Sequence, residues 1–295
     1  MSPLVQFSLF LIISHQSSLI HSIKYTLTKS TSETTHHDED VITSEENVRK
    51  LTVEDEFHIF DKDLLQITEK TAIFIMNRNY VLHKIESGAF ADQDITETIL
   101  ISNSNLKVLQ TGTFKNLKIF ELILSDNEIT DIEDEAIDNL INLRILNLSK
   151  NRIVQFSAEC IIDAPASYLD MAFNHLQLVG ENWFRFMTDE EPATVLLDNN
   201  EIESVDSMAF EGVLLGTLNL RSNRIGTLPF EMFEDDTISR VYLQDNSLET
   251  LPGTFFELSQ LSLANLNGNP LDCDTQEKLK KKKSRQIQII YDEDC

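Results

Sequence analysis

The chain has 295 residues, 41% of them hydrophobic, which is enough apolar material for a large core. Its 49 Asp and Glu against 24 Lys and Arg give a formal charge of −25, which disfavours nucleic acid, heparin-like chains and anionic membranes as partners and favours a basic one. Eight glycines and six prolines leave turn chemistry to Asn, Asp and Ser, and three cysteines allow one bridge and one thiol.

Residues 1–22 hold the apolar run Leu4 to Ile13 followed by Ser14-His15-Gln16-Ser17-Ser18. The run fits a secretory signal peptide and is too short for a membrane span. Residues 23–47 are acidic and polar and read as a flexible arm; His36 and His37 lie there beside acids, without the fixed geometry a metal needs. Residues 48–72, with Leu51, Val53, Phe57, Ile59 and Phe60, read as a degenerate cap over the open end of a repeat array.

From 73 to 271 the chain repeats. Asparagines recur at Asn127, Asn151, Asn174, Asn200, Asn223, Asn246 and Asn269, spaced by 24, 23, 26, 23, 23 and 23 residues. That is the period of a solenoid. Five and three residues before each asparagine stand apolar residues, as in Leu146/Leu148 and Leu218/Leu220, so each repeat contains a short strand with one face inward. A side-chain amide both donates and accepts, and stacked amides can satisfy the backbone of the tight turns after these strands. The same alternation places Ile73/Ile75 and Ile99/Ile101 inward upstream, with Ser104 at the ladder position. Phe90, Phe114, Phe184, Phe210, Phe233 and Phe256 recur at the outer corner and read as a spine. Cys160 occupies an alanine-like slot, and Thr188 to Pro192 is the extra material of the one long interval.

The unit Leu146-Asn147-Leu148-Ser149-Lys150-Asn151-Arg152-Ile153 resembles the typical leucine-rich repeat of extracellular animal proteins. The resemblance implies an α/β leucine-rich repeat solenoid: curved, with a parallel β-sheet on the concave side and an irregular or short helical convex side. Asn269-Pro270-Leu271-Asp272-Cys273 resembles the opening of that family's C-terminal cap, with Thr275 where a second cysteine is expected. It implies a reduced cap over 272–295 closed by Cys273 and Cys295, with Thr275 to Arg285, including the run Lys280 to Lys283, as its helix. The missing N-terminal cysteine cap and small size resemble short secreted leucine-rich immune proteins of insects.

Catalytic and phosphate-binding motifs are absent from the sequence, so the chain reads as a non-enzyme with no cofactor. The surface that can select a partner is the concave sheet, whose outward side chains alternate with the core leucines. The middle column reads Phe74, Leu100, Ile123, Asn147, Asp170, Leu196, Asn219, Tyr242 and Asn265; the column two residues on begins at Met76 and holds Asp198 and Arg221. Phe74, Met76, Leu100 and Ile123 form an apolar strip, suited to a contact or a homodimer. Asp170, Asp198, Arg221, Arg240 and Tyr242 form a mixed face with Arg240 and Tyr242 as anchors. Asn147-Leu148-Ser149 is a glycan acceptor motif on the same strand. The expectation is a secreted, extracellular protein that binds another protein through this face, in innate immune recognition. Its rivals are a self-associating matrix or adhesion protein and an intracellular scaffold.

Overall fold

The computed structural model describes the backbone of residues 25–30, 48–53, 59–60, 71–77, 80, 82–188, 190–284 and 286–295, with side chains from residue 73 onward. The signal-peptide reading of 1–22 and the pair His36 and His37 lie outside these residues. Twelve strands make one sheet: β1 Tyr25–Ser30, β2 Val48–Val53, β3 Thr71–Asn77, β4 Ile95–Ser102, β5 Glu121–Ile123, β6 Ile145–Asn147, β7 Tyr168–Asp170, β8 Ala193–Leu196, β9 Leu215–Asn219, β10 Arg240–Tyr242, β11 Leu263–Asn265 and β12 Gln288–Ile290. Each strand pairs with the next in the chain, in parallel from β2 onward. Between strands the chain goes round the core through short pairings and 3-10 turns such as Ala158–Cys160 and Gly253–Phe256. The result is the curved leucine-rich repeat solenoid expected from the repeat, with α1 Cys273–Lys282 as the one α-helix among the described residues.

Two expectations need correction, one at the amino end and one in β3. The polar segment 23–47 contains β1, which runs antiparallel to β2 from Tyr25↔Val53 to Ser30↔Val48. A parallel sheet has an open edge at its first strand, and a reversed strand occupies the N–H and C=O groups that edge would expose. At the other end the repeat pattern ends but the sheet runs on into the 272–295 segment: β12 pairs with β11, buries Ile289, and its Ile290 carbonyl accepts from Leu266 N at 2.7 Å.

β3 is out of the expected phase. Phe74 and Met76 are fully buried, whereas Ile73 and Ile75 are half-buried on the outward side, the reverse of the phase expected from alternation. Register fixes this, because Phe74 pairs with Ile99 and Met76 with Ile101, both core residues, while Ile75 pairs with Leu100. Packing supplies the reason: the larger Phe74 ring meets Phe90 edge-on at 5.0 Å, within the aromatic stack of the convex side.

That stack continues from Phe90 to Phe114 at 5.3 Å and from Phe184 to Phe210 at 4.9 Å. In the last coil Phe255, not Phe256, is the buried ring and meets Phe233 at 5.5 Å; Phe256 is only partly buried, under Lys278. The extra residues after Thr188 fold back onto earlier coils, with Glu191 reaching Arg144 at 2.8 Å. The lysine run is likewise occupied by the cap: Lys281 pairs with Glu277 at 2.8 Å, and Lys282 donates to the carbonyls of Phe256 and Leu258 at 2.9 Å each.

Cys160 is 1% exposed and its Sγ lies 2.9 Å from the Ile132 carbonyl; burial pushes its thiol above the usual range. The thiol is therefore expected to resist a thiol reagent in the native protein and to react once per chain after denaturation. Labelling of Cys160 under native conditions at the rate of a free peptide thiol would contradict this placement.

Candidate functional site

The concave face is held by the turn after each strand. Asn174 shows the unit: its amide nitrogen donates to Leu148 O and Met171 O, at 3.0 Å each, and its Oδ1 accepts from Ile153 N at 3.0 Å. The same three bonds, to the carbonyl in its own coil, to one in the preceding coil and from an N–H of the preceding coil, recur at Asn151, Asn200, Asn223, Asn246 and Asn269. Asn127 bonds to Ile101 O and Leu124 O but accepts from Ser104 N, at the serine step. Sequence reasoning missed the residue before each ladder position: Asn103, Asp126, Lys150, Phe173, Asn199, Ser222, Asp245 and Gly268 all have φ between 51° and 72°. That left-handed step aims the amide back into the coil, and its Asn, Asp and Gly content was a readable signal.

With the turns fixed, residue-for-residue pairing aligns the outward columns. Ile75, Leu100, Ile123, Asn147, Asp170, Leu196, Asn219, Tyr242, Asn265 and Ile290 form one half-buried row across the sheet. Two residues upstream Ile73, Thr98, Glu121, Ile145, Tyr168 and Thr194 begin a parallel row. The row continues through Thr217 to Arg240, the one residue of it that sequence reasoning had used, although the same alternation reaches the rest. Phe74 and Met76 leave the candidate face; Ile75 takes the place of Phe74 in the apolar strip, beside Leu100 and Ile123.

The polar half is a network. Asp198 accepts from Asn219 Nδ2 at 2.8 Å and Asn199 Nδ2 at 2.7 Å. Arg221 is exposed and reaches Asp245 at 3.4 Å; Arg240 is exposed with its Nε on Thr217 Oγ1 at 3.0 Å, next to half-buried Tyr242. Asn147 folds its Oδ1 onto Ser149, accepting from its N–H at 2.9 Å and its hydroxyl at 2.7 Å. Cys273 and Cys295 lie at the carboxyl end, 5.5 Å apart between Cα atoms with sulfurs in bonding contact. No group of His, Cys, Asp or Glu suited to a metal occurs among the described residues, and none of their helices is long and apolar enough to cross a membrane.

Asp170 is the strained charge of the face. Burial, then the neighbouring Asp198 charge, pushes its carboxyl above the usual range, against a bond from Ala172 N at 3.0 Å. A carboxylate whose folded pKa is raised costs stability above that pKa, and the cost vanishes as the pH falls below its unfolded value. Asp170→Asn is therefore expected to raise Tm at neutral pH, with the gain over wild type shrinking through the acidic carboxylate range. An unchanged or lower Tm at pH 7 would count against the reading.

The family model described as Leucine rich repeat matches residues 118–176, and that described as BspA type Leucine rich repeat region (6 copies) matches 171–275. Toll-like receptor 4 of Rattus norvegicus is 28% identical over 102 residues, 33% of this chain and 12% of the receptor. Lumican of Coturnix japonica is 26% identical over 167 residues, 47% of each chain. Among solved structures, the TLR13–ssRNA13 complex superposes with a TM-score of 0.50 at 19% identity, over 67% of this chain and 32% of that one, which speaks for the fold alone. The chain thus spans less than half the length of the curated relatives it matches. Together the two leucine-rich repeat models cover 118–275, the stretch that carries the ladder from Asn127 to Asn269, and the chain belongs to the leucine-rich repeat proteins.

Proposed function

We propose that this chain is a secreted, non-catalytic recognition protein that binds another protein through its concave face, in an innate immune setting. The observation that carries the proposal is the outward row from Ile75 to Ile290, which mixes aliphatic, aromatic, amide and charged side chains on a sheet held in register by buried amides. A face ordered before it meets its partner loses little conformational freedom on binding. The partial likenesses to Toll-like receptor 4 and lumican support a recognition role outside the cell, and the formal charge of −25 speaks against a polyanionic ligand. Glycosylation of Asn147 belongs to the same proposal; a glycan there would separate the apolar strip from the polar half.

The test is capture of partners by the tagged full chain, with Arg240→Ala/Tyr242→Ala and Leu100→Asp/Ile123→Asp as concave variants and Glu211→Ala on the outer side as control. Partners should be lost with at least one concave variant and kept by the control. Equal capture by all four proteins would reject the concave face as the binding surface.

A further inference from the structure

Four of the cations bordering the concave face are paired with carboxylates: Lys150 with Asp126 at 3.4 Å, Arg152 with Glu128 at 2.8 Å, Arg224 with Glu201 at 2.9 Å and Arg221 with Asp245 at 3.4 Å, while Arg240, at the far end, rests on Thr217. Asp170 and Asp198, at its centre, make no ion pair among the described residues. Asp198 is met by two asparagine amides and Asp170 by the Ala172 N–H and the Ser149 hydroxyl; Lys150 lies near enough to favour the Asp170 charge, but its own ion pair is with Asp126. Toward the amino end the face turns apolar. Ile75, Leu100, Ile123 and Ile145 are half-buried on adjoining strands, and Tyr168 comes next. The only charge in the outward rows over this stretch is Glu121, whose carboxylate accepts from Thr98.

We propose that this half of the concave face docks a segment of a partner protein that carries an aliphatic or aromatic side chain next to a lysine or arginine. The apolar side chain seats on Ile75, Leu100 and Ile123, and the cation lies against Asp170 and Asp198. The proposal rests on the concave face being a protein-binding surface and adds the chemistry of what binds. Charge complementarity selects this occupant. A second copy of the chain would bring two sets of unpaired carboxylates together on a protein of formal charge −25, whereas a cation supplies the partner these two carboxylates lack. The raised carboxyl of Asp170 agrees, because a charge held at some cost to the fold is relieved by an incoming cation.

A random-peptide library displayed on phage and panned against the immobilised full chain tests this directly, with recovered sequences made as synthetic peptides. Recovered peptides should pair Lys or Arg with a large apolar residue. Their affinity should fall about tenfold with Asp170→Asn/Asp198→Asn, fall with added salt, and be lost with Leu100→Asp/Ile123→Asp, each variant being checked for a native circular dichroism spectrum. Acidic or uncharged consensus peptides, or affinity unchanged in both double variants, overturn the proposal. Peptides whose binding fails only with Arg240→Ala/Tyr242→Ala overturn it while leaving the concave face as the binding surface; peptides indifferent to every concave variant overturn both. A dimer in sedimentation that Leu100→Asp/Ile123→Asp dissolves makes a second copy the occupant and overturns it as well.

Discussion

Asn174→Leu is expected to lower the stability of the protein by about 3–5 kcal/mol, because an orphaned buried donor costs about 1–3 kcal/mol and each lost bond about 0.5–1.5. The three bonds are not equivalent. Leu148 O also receives Asn151 Nδ2, and Met171 O also receives Asn200 Nδ2, so both carbonyls keep a partner when Asn174 is removed. The buried Ile153 N–H donates to Asn174 Oδ1, so it is the group left without an acceptor. Asn174→Asp separates the contributions: a carboxylate accepts from Ile153 but donates to neither carbonyl and places a charge in a position 4% exposed. It should be at least as damaging as leucine at neutral pH and recover part of the loss in acid. Chemical denaturation measures both; a loss below about 1 kcal/mol for leucine would mean that the ladder is not what holds the turns.

The ladder was also the most legible part of the chain, for a physical reason. Its asparagines are isolated polar residues at a fixed phase in an apolar context, so Asn127 to Asn269 could be placed from spacing alone. Where the signal failed, two alternatives were equally apolar. Ile73-Phe74-Ile75-Met76 is apolar at every position, and period two cannot say which pair faces the core; the contact of Phe74 with Phe90 decides it. Phe255 and Phe256 pose the same problem on the convex side, and the buried ring is the one that reaches Phe233. The strand Gln288–Ile290 has no ladder asparagine after it, and β1 sits in a polar context, so neither carried the repeat signal. For the candidate face, the row from Leu100 to Asn265 emerged from alternation once the strands were in register. The lack of ion pairs at Asp170 and Asp198 did not, since it depends on which bordering cations are already engaged by carboxylates of neighbouring coils.

The second large effect lies at the carboxyl end. Removing the bridge with Cys273→Ser/Cys295→Ser is expected to destabilise the last coil by about 3 kcal/mol, from the loop entropy of residues 22 apart in sequence. The bridge joins the start of α1 to the chain end, and other contacts hold the same region. Asp272 caps α1 by accepting from Thr275 N at 2.7 Å; buried Gln276 accepts from Asp294 N at 3.2 Å and Cys295 N at 3.3 Å; Leu279 fills the core beneath. Because each coil touches mainly its neighbours, the damage should begin locally. Amide exchange should quicken first in α1 and β12, then at Leu266, whose N–H depends on the Ile290 carbonyl. Exchange at Leu122 and Leu146 should stay near wild type until the denaturation midpoint. Loss of protection spread evenly from β4 to β12 would show instead that the solenoid melts as one unit, and a shift below about 1 kcal/mol would show that Gln276 and Leu279 hold the end without the bridge. The two outcomes bear on function differently: a local opening leaves the face from Ile75 to Asp198 intact, whereas a concerted one makes every concave side chain depend on the oxidation state of two distant cysteines.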